Sequence, residues 1–270
     1  MTRQLLPAAG AAPALTPRYL MPHRLDEGIA HRAAIGLVAL ASDPTIEHEW
    51  RRLLDLEGVS FFVSRISNVA DCTPENLLAM QDRISDGAAR LLPGRPLNVV
   101  AYGCTSATTL MGEDTVARLI AAGKPGARWT SPISAAKAAI QALGVGRIAL
   151  LTPYMESIDR AIVAHLEAAG IQVPVMGSFN LFDDYQVCRI TLESLRTAVL
   201  ELGSSPLVEA VFVACTTVRG AVLIEELEAT LGKPVFTSCH ATAWHALRLA
   251  GVDDPLVGRG RLYQVGLIGG

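Results

Sequence analysis

The sequence predicts an α/β fold of two similar lobes, each with a parallel-sheet core, related by a pseudo-twofold axis and meeting at a cleft that holds the active site. Three observations predict it. Short, continuous apolar runs alternate with longer helical stretches, as in chains of βα units whose sheets are covered on both faces. Landmarks recur at nearly constant spacing: Cys104 and Cys215 lie 111 residues apart, Lys124 and Lys233 (each in Gly-Lys-Pro) 109, and Ile35 and Ile148 113, so one structural unit is written twice. The 270 residues are 50% hydrophobic but only 5% aromatic, the aliphatic make-up of a helix-rich α/β protein.

The elements follow in order. Residues 1–33, rich in Ala and Pro without a sustained period, read as a flexible tail in which Pro7 and Pro13 interrupt any leader-like apolar run. In the first lobe, 34–145, strands are expected at 34–41, 59–64, 97–102 and 129–131, and helices at 47–56, 74–92, 108–122 and 133–143. The second lobe, 146–270, repeats the series, with strands at 147–151, 171–175, 210–213 and 234–237 and helices at 155–169, 185–202, 221–231 and 241–250. The strands read as continuous apolar runs, as fully buried parallel strands do, and the first helix opens after the Asp43-Pro44-Thr45 turn.

Composition excludes several functions. A net charge of −3 gives no electrostatic reason to bind nucleic acid or an anionic membrane. No apolar run reaches the ~18 residues that span a bilayer. The five cysteines are odd in number, widely spaced and without a CxxC, which suits reduced thiols in the cytoplasm. Neither a Gly-rich nucleotide fingerprint nor metal-ligand spacing is present, so no cofactor and no metal are expected. A small-molecule substrate and a homo-oligomer are expected as partners.

The chemistry-bearing pattern is Gly103-Cys104-Thr105-Ser106 and its counterpart Ala214-Cys215-Thr216-Thr217. In each, a buried strand ends in a thiol followed by two hydroxyl residues. A helix beginning there would present its first amides to the sulfur and favour the thiolate, making Cys104 and Cys215 candidate bases or nucleophiles. One such cysteine is commonly structural; two at matching places of a repeat point to one site between the lobes. Thr105, Ser106, Thr216 and Thr217 are candidate substrate donors. Asp43 and Tyr154, in turns at the carboxyl ends of the first strand of each lobe, are further candidates, although Asp43 also suits a helix cap. His240 reads as a packing residue, and Cys72, Cys188 and Cys239 as structural.

On these residues, with Asp43-Pro44-Thr45-Ile46-Glu47 and Leu151-Thr152-Pro153-Tyr154, the chain resembles the aspartate/glutamate racemase superfamily. Within it, the chain is similar to the branch of maleate cis-trans isomerases and arylmalonate decarboxylases. The resemblance implies a cofactor-independent enzyme. Decarboxylases of the branch keep only the second-half cysteine, so two cysteines favour an isomerase. Maleate isomerases carry asparagine where Asp43 stands and another near Asp184, both used on substrate carboxylates, which marks Asp184 as a substrate contact here. Two acidic residues in those places would repel a dicarboxylate. The chain also resembles a subgroup associated with ectoine utilisation, through its Asp-x-Thr-x-Glu turn, Arg147 to Tyr154, and Thr237-Ser238 followed by Ala241-Thr242-Ala243-Trp244. The expected activity is thus racemisation, epimerisation or isomerisation of a small carboxylate, such as an ectoine derivative, by a cysteine pair. The alternatives are maleate-type isomerisation through a covalent Cys104 adduct, and non-enzymatic binding of a small solute between the lobes.

Overall fold

The computed structural model describes residues 17–268. The chain forms two four-stranded sheets in which every paired strand is parallel. The first runs through β1 (Ala33–Leu40), α1 (Ile46–Leu53), β2 (Val59–Ile66), α2 (Pro74–Leu78), α3 (Gln81–Ala89), β3 (Val99–Tyr102), α4 (Thr105–Met111), α5 (Glu113–Gly123), β4 (Arg128–Thr130) and α6 (Pro132–Ala142). The second runs through β5 (Arg147–Thr152), α7 (Glu156–Ala168), β6 (Gln172–Ser178), α8 (Asp184–Val187), α9 (Leu192–Gly203), β7 (Ala210–Val213), α10 (Ile224–Leu231), β8 (Val235–Thr237) and α11 (Ser238–Leu249). Strand orders are β2-β1-β3-β4 and β6-β5-β7-β8, the same order written twice.

Burial follows position in the sheet. The central strands β3 and β7 are buried at every residue, because helices cover both faces. The edge strand β6 alternates exposed and half-buried positions. The central strand of each lobe hands the chain on in the same way. Gly103 N–H donates to Val38 O at 2.8 Å and Ala214 N–H to Leu151 O at 2.8 Å, so the following residue, Cys104 or Cys215, emerges just past the strand's carboxyl end.

Three predicted helices are broken in two. The stretch 74–92 divides into α2 and α3 at Ala79 and Met80, and 185–202 divides into α8 and α9, where Thr191 starts a fresh helix by accepting from Ser194 N–H. The third, expected from 108, begins at Thr105 and stops at Gly112, whose φ of +83° a glycine adopts without strain. The expected tail falls partly outside the described residues, at 1–16; residues 17–32 carry neither helix nor strand and are almost entirely exposed. No described helix is long and apolar enough to cross a membrane.

The lobes are knitted together. α11 follows the last strand of the second sheet yet packs against α1, α6, β3 and β4 of the first. Arg259 donates to the carbonyls of Leu53 (2.8 Å) and Asp55 (3.1 Å), and Arg128 to Leu249 O at 2.9 Å. Glu49 of α1, buried, accepts from Ala221 N–H at 2.7 Å, holding from the first lobe the turn that follows Cys215.

Candidate active site

The carboxyl ends of the strands meet at one small pocket lined by Leu40, Asn68, Val69, Cys72, Leu77, Cys104, Thr105, Ser106, Tyr154, Asp184, Cys215, Thr216 and Thr217. Its volume of about 10 Å3 is room for about one water, so the lobes are closed on each other. The structure brings Cys104, Cys215, Thr105, Ser106, Thr216, Thr217, Tyr154 and Asp184 to this wall. Asp43 is not among them.

Cys104 caps α4 with extended backbone, φ −144° and ψ 117°. Its sulfur lies 3.7 Å from Ser106 Oγ and receives the Ala107 amide. Cys215 differs from the expected pattern. No helix opens behind it; residues 216–220 form a turn and α10 begins only at Ile224. Its φ is +91°, a left-handed backbone that costs a residue with a Cβ of order 1 kcal/mol or more. Ser238 Oγ accepts its N–H at 3.0 Å, and Cys239 Sγ donates to Thr216 O at 3.0 Å. These two bonds from the start of α11 hold the turn.

The expectation of thiolates stabilised by helix amides is corrected by burial. Both sulfurs are removed from water, and desolvation raises each thiol to about 12. For Cys104 the Ala107 amide and Ser106 hydroxyl oppose this; for Cys215 the Asp184 charge adds to it, while the Tyr154 hydroxyl and Thr217 amide oppose it. In the closed state both thiols hold their protons.

Asp184 starts α8 and is 4% exposed. It accepts from Ser42 Oγ, from Thr217 Oγ1 at 3.1 Å and from Cys72 Sγ at 3.9 Å. Burial nevertheless raises its carboxyl to about 6, with the Asp43 charge adding to the effect. Asn68 donates to Ser42 Oγ at 2.7 Å and accepts from Ser42 N at 3.1 Å. An Asn68–Ser42–Asp184–Thr217 chain thus crosses from one lobe to the other.

Asp43, expected as a substrate contact, sits fully buried behind the wall and works as a cap. Its Oδ1 accepts from the amides of Thr45 (2.7 Å) and Ile46 (3.0 Å), while Oδ2 has no hydrogen bond. Thr216 lies close enough to favour its ionised form, but the single Thr216 proton is directed to Gly103 O at 3.3 Å. Burial dominates and raises the Asp43 carboxyl. Thr152 and Asp159 brace the Tyr154 turn: Thr152 Oγ1 donates to Asp159 at 2.5 Å and accepts from Tyr154 N at 3.3 Å.

Two further readings change or hold. Cys72, expected to be structural, lines the pocket. It rides a strap, residues 67–73, that bridges to the second lobe through an antiparallel Asp71–Asp183 pair, with Cys72 N–H donating to Phe182 O at 2.9 Å. His240 packs: it is fully buried, its ring lies against Tyr263 with centroids 4.7 Å apart and planes tilted by 37°, and Nε2 bonds Arg259 O at 2.7 Å; burial lowers it to about 4, so it is neutral. Asn68 is not among the residues the sequence marks, and Ser238 is marked only as part of the motif that carries the resemblance, not as a site residue. Asn68 was findable, since it follows the end of β2 on the same side as the cysteines. Among the described residues no cluster of His, Cys, Asp and Glu is arranged to hold a metal.

The comparisons agree with this geometry. The family model described as arylmalonate decarboxylase matches residues 56–263. A maleate isomerase of Nocardia farcinica is 30% identical over 239 residues, 85% of this chain and 95% of that enzyme. An arylmalonate decarboxylase of Bordetella bronchiseptica is 28% identical over 210 residues, 75% of this chain and 86% of that enzyme. Among solved structures, a cysteine-to-serine variant of the Nocardia farcinica maleate cis-trans isomerase, carrying a covalently bound succinylcysteine intermediate, superposes with a TM-score of 0.77 at 28% identity, covering 86% of this chain and 98% of that one. With the family model spanning residues 56–263 and a 30% identical relative covering 85% of the chain, the chain belongs to the arylmalonate decarboxylase family, which includes the maleate isomerases.

Proposed function

We propose that the protein is a cofactor-independent isomerase in which Cys104 and Cys215 act together on one small carboxylate. The observation that carries the reading is the presence of both thiols, one from each sheet, in the wall of a single pocket. Opening the lobes admits water and substrate and removes desolvation, the largest influence on both sulfurs. The Ala107 amide and Ser106 hydroxyl at Cys104, and the Tyr154 hydroxyl and Thr217 amide at Cys215, then favour ionisation. One thiolate takes the proton from the carbon next to the substrate carboxylate. The C–H pair passes into an enolate, and the other thiol returns a proton to the opposite face.

Three of the four hydroxyls expected to stabilise that charge are already engaged, Thr105 with Ser238, Thr216 with Gly103 O and Thr217 with Asp184, and the fourth, on Ser106, lies 3.7 Å from the Cys104 sulfur. The amides of Thr105 and Ser106, at the open start of α4, have no carbonyl one turn behind them and are the better donors for a substrate carboxylate. Asp184 faces the same pocket and, with its carboxyl near 6, is mostly ionised at pH 7. It favours a substrate whose other end is cationic or donates hydrogen bonds, for which a cyclic amidine carboxylate such as ectoine or hydroxyectoine is a fitting candidate. A second reading, maleate-type cis-trans isomerisation with Cys104 adding to the double bond, is favoured by the succinylcysteine seen in the related enzyme.

Proton exchange in deuterated buffer tests both. Ectoine, hydroxyectoine and maleate are offered to the wild type, Cys104→Ala and Cys215→Ala. The proposal expects deuterium in the substrate, reduced by about 100-fold or more in each variant. Full activity in either variant overturns it. A thioether on Cys104 after exposure to maleate would establish the second reading.

A further inference from the structure

The repeat that produced two cysteines also produced two Thr-Ser pairs, Thr130-Ser131 and Thr237-Ser238, each at the junction of a lobe's last strand and the following helix. The copies use their serines differently. At α6, Ser131 is itself the cap: its hydroxyl accepts from Ser134 N–H and bonds Ser134 Oγ at 2.8 Å. At α11 the cap falls one residue earlier, on Thr237, which accepts from His240 N–H at 3.2 Å. That one-residue shift frees the Ser238 hydroxyl from its own helix.

The freed hydroxyl meets both cysteine motifs. It accepts the Cys215 N–H at 3.0 Å and shares a hydrogen bond of 2.9 Å with Thr105 Oγ1, next to Cys104 on the other lobe. Ser238 is fully buried, so no water can replace either bond without displacement of the wall. Cys104 needs no such help, having ordinary extended backbone. Cys215, at φ +91°, does. Its amide would otherwise be a buried donor without an acceptor, and the turn would relax toward an unstrained conformation.

We propose that Ser238 is the positioning residue that sets the two thiols against each other: its hydroxyl holds Cys215 in the left-handed turn and ties that turn to the head of the Cys104 helix. The inference rests on the two-thiol reading for its catalytic meaning, but its physical content is separate and can be tested without a substrate.

Iodoacetamide is used as the probe, with the alkylation rates of Cys104 and Cys215 followed by peptide mass spectrometry in the full-length chain at fixed pH. In Ser238→Ala the ratio of the Cys215 rate to the Cys104 rate is expected to rise about tenfold, the equivalent of one lost buried hydrogen bond. A general loosening of the fold would accelerate both thiols together and leave the ratio unchanged. Thr105→Val, nearly isosteric, removes only the link between lobes and is expected to raise the ratio about threefold; it also decides the matter if Ser238→Ala does not fold. A ratio within twofold of wild type in every folded variant overturns the proposal. The two readings fail separately: deuterium exchange that survives loss of either cysteine removes the two-thiol mechanism, whereas an unchanged alkylation ratio removes Ser238 alone.

Discussion

At Cys104 and Cys215 the competition between desolvation and local donors decides when the chemistry can start. With both thiols at about 12, the reactive thiolate is a small fraction at neutral pH, and that fraction grows tenfold with each pH unit. An alkylating reagent is far larger than the pocket, so alkylation reads the opened lobes: its rate should rise about tenfold per pH unit from about pH 6 and level off well below the closed-state value, whereas a rise continuing past about pH 10 would show that the thiols stay desolvated when the reagent arrives. Asp184 makes the opposite kind of statement about stability. Its carboxyl is raised from 3.8 to about 6, so between those values the folded chain holds a proton that the unfolded chain has lost. The associated stability is present below the unfolded value and disappears as pH rises through about 6, by up to ~3 kcal/mol. Urea midpoints of the wild type should fall across that window, and those of Asp184→Asn should fall less. Asp159, also raised to about 6, leaves the variant with a residual slope. Cys104 and Cys215 were legible as site candidates because a strand end and its thiol are adjacent in sequence. Ser238 was not, because its partners Cys215 and Thr105 are 23 and 133 residues away. Asp43 has two uses that sequence does not separate: the same short carboxylate suits a substrate contact and a helix cap, and here Oδ1 caps α1 while Oδ2 has no hydrogen bond.

The elements were easier to read than their breaks. Leu77, Met80, Ile84 and Ala88 are all buried, so apolar periodicity continues straight through the interruption between α2 and α3 and gives no sign of it. Gly112 and Thr191, by contrast, are residue types that stop and start helices, yet the helices expected at 108–122 and 185–202 run through them. Close packing of elements sets another constraint that sequence alone does not show. A Cβ on Gly123, at the end of α5, would lie 2.0 Å from the Ser85 carbonyl oxygen of α3, and a backbone atom cannot swing aside. Gly123→Ala should therefore lower stability by about 1–3 kcal/mol in urea unfolding. Gly146→Ala is the matched control, since a Cβ there meets nothing within 4 Å, and it should change stability by less than about 0.5 kcal/mol.

For the whole molecule, a pocket of about 10 Å3 means that the structure is a closed form and that entry requires parts to separate. The strap at 67–73 is the natural place, being held to the second lobe by few bonds: Cys72 N–H to Phe182 O at 2.9 Å and Asp184 N–H to Ala70 O at 3.3 Å. Hydrogen exchange should find these two amides opening well before those of β3 and β7, with protection increased by any ligand that fills the pocket; exchange at the same rate as the central strands would place the entrance elsewhere. The return of α11 to the first sheet has a different consequence. Although the repeat reads as two units in sequence, part of the covering of β3 and β4 is supplied by a helix encoded more than a hundred residues later. A chain cut after residue 145 would leave β3 and β4 of its first fragment covered by α5 but stripped of α11, and would leave α11 in the second fragment without α1, α6, β3 and β4 to pack on. The two halves of the repeat are therefore not two independent folding units, and structure should return to the severed pieces only when they are mixed.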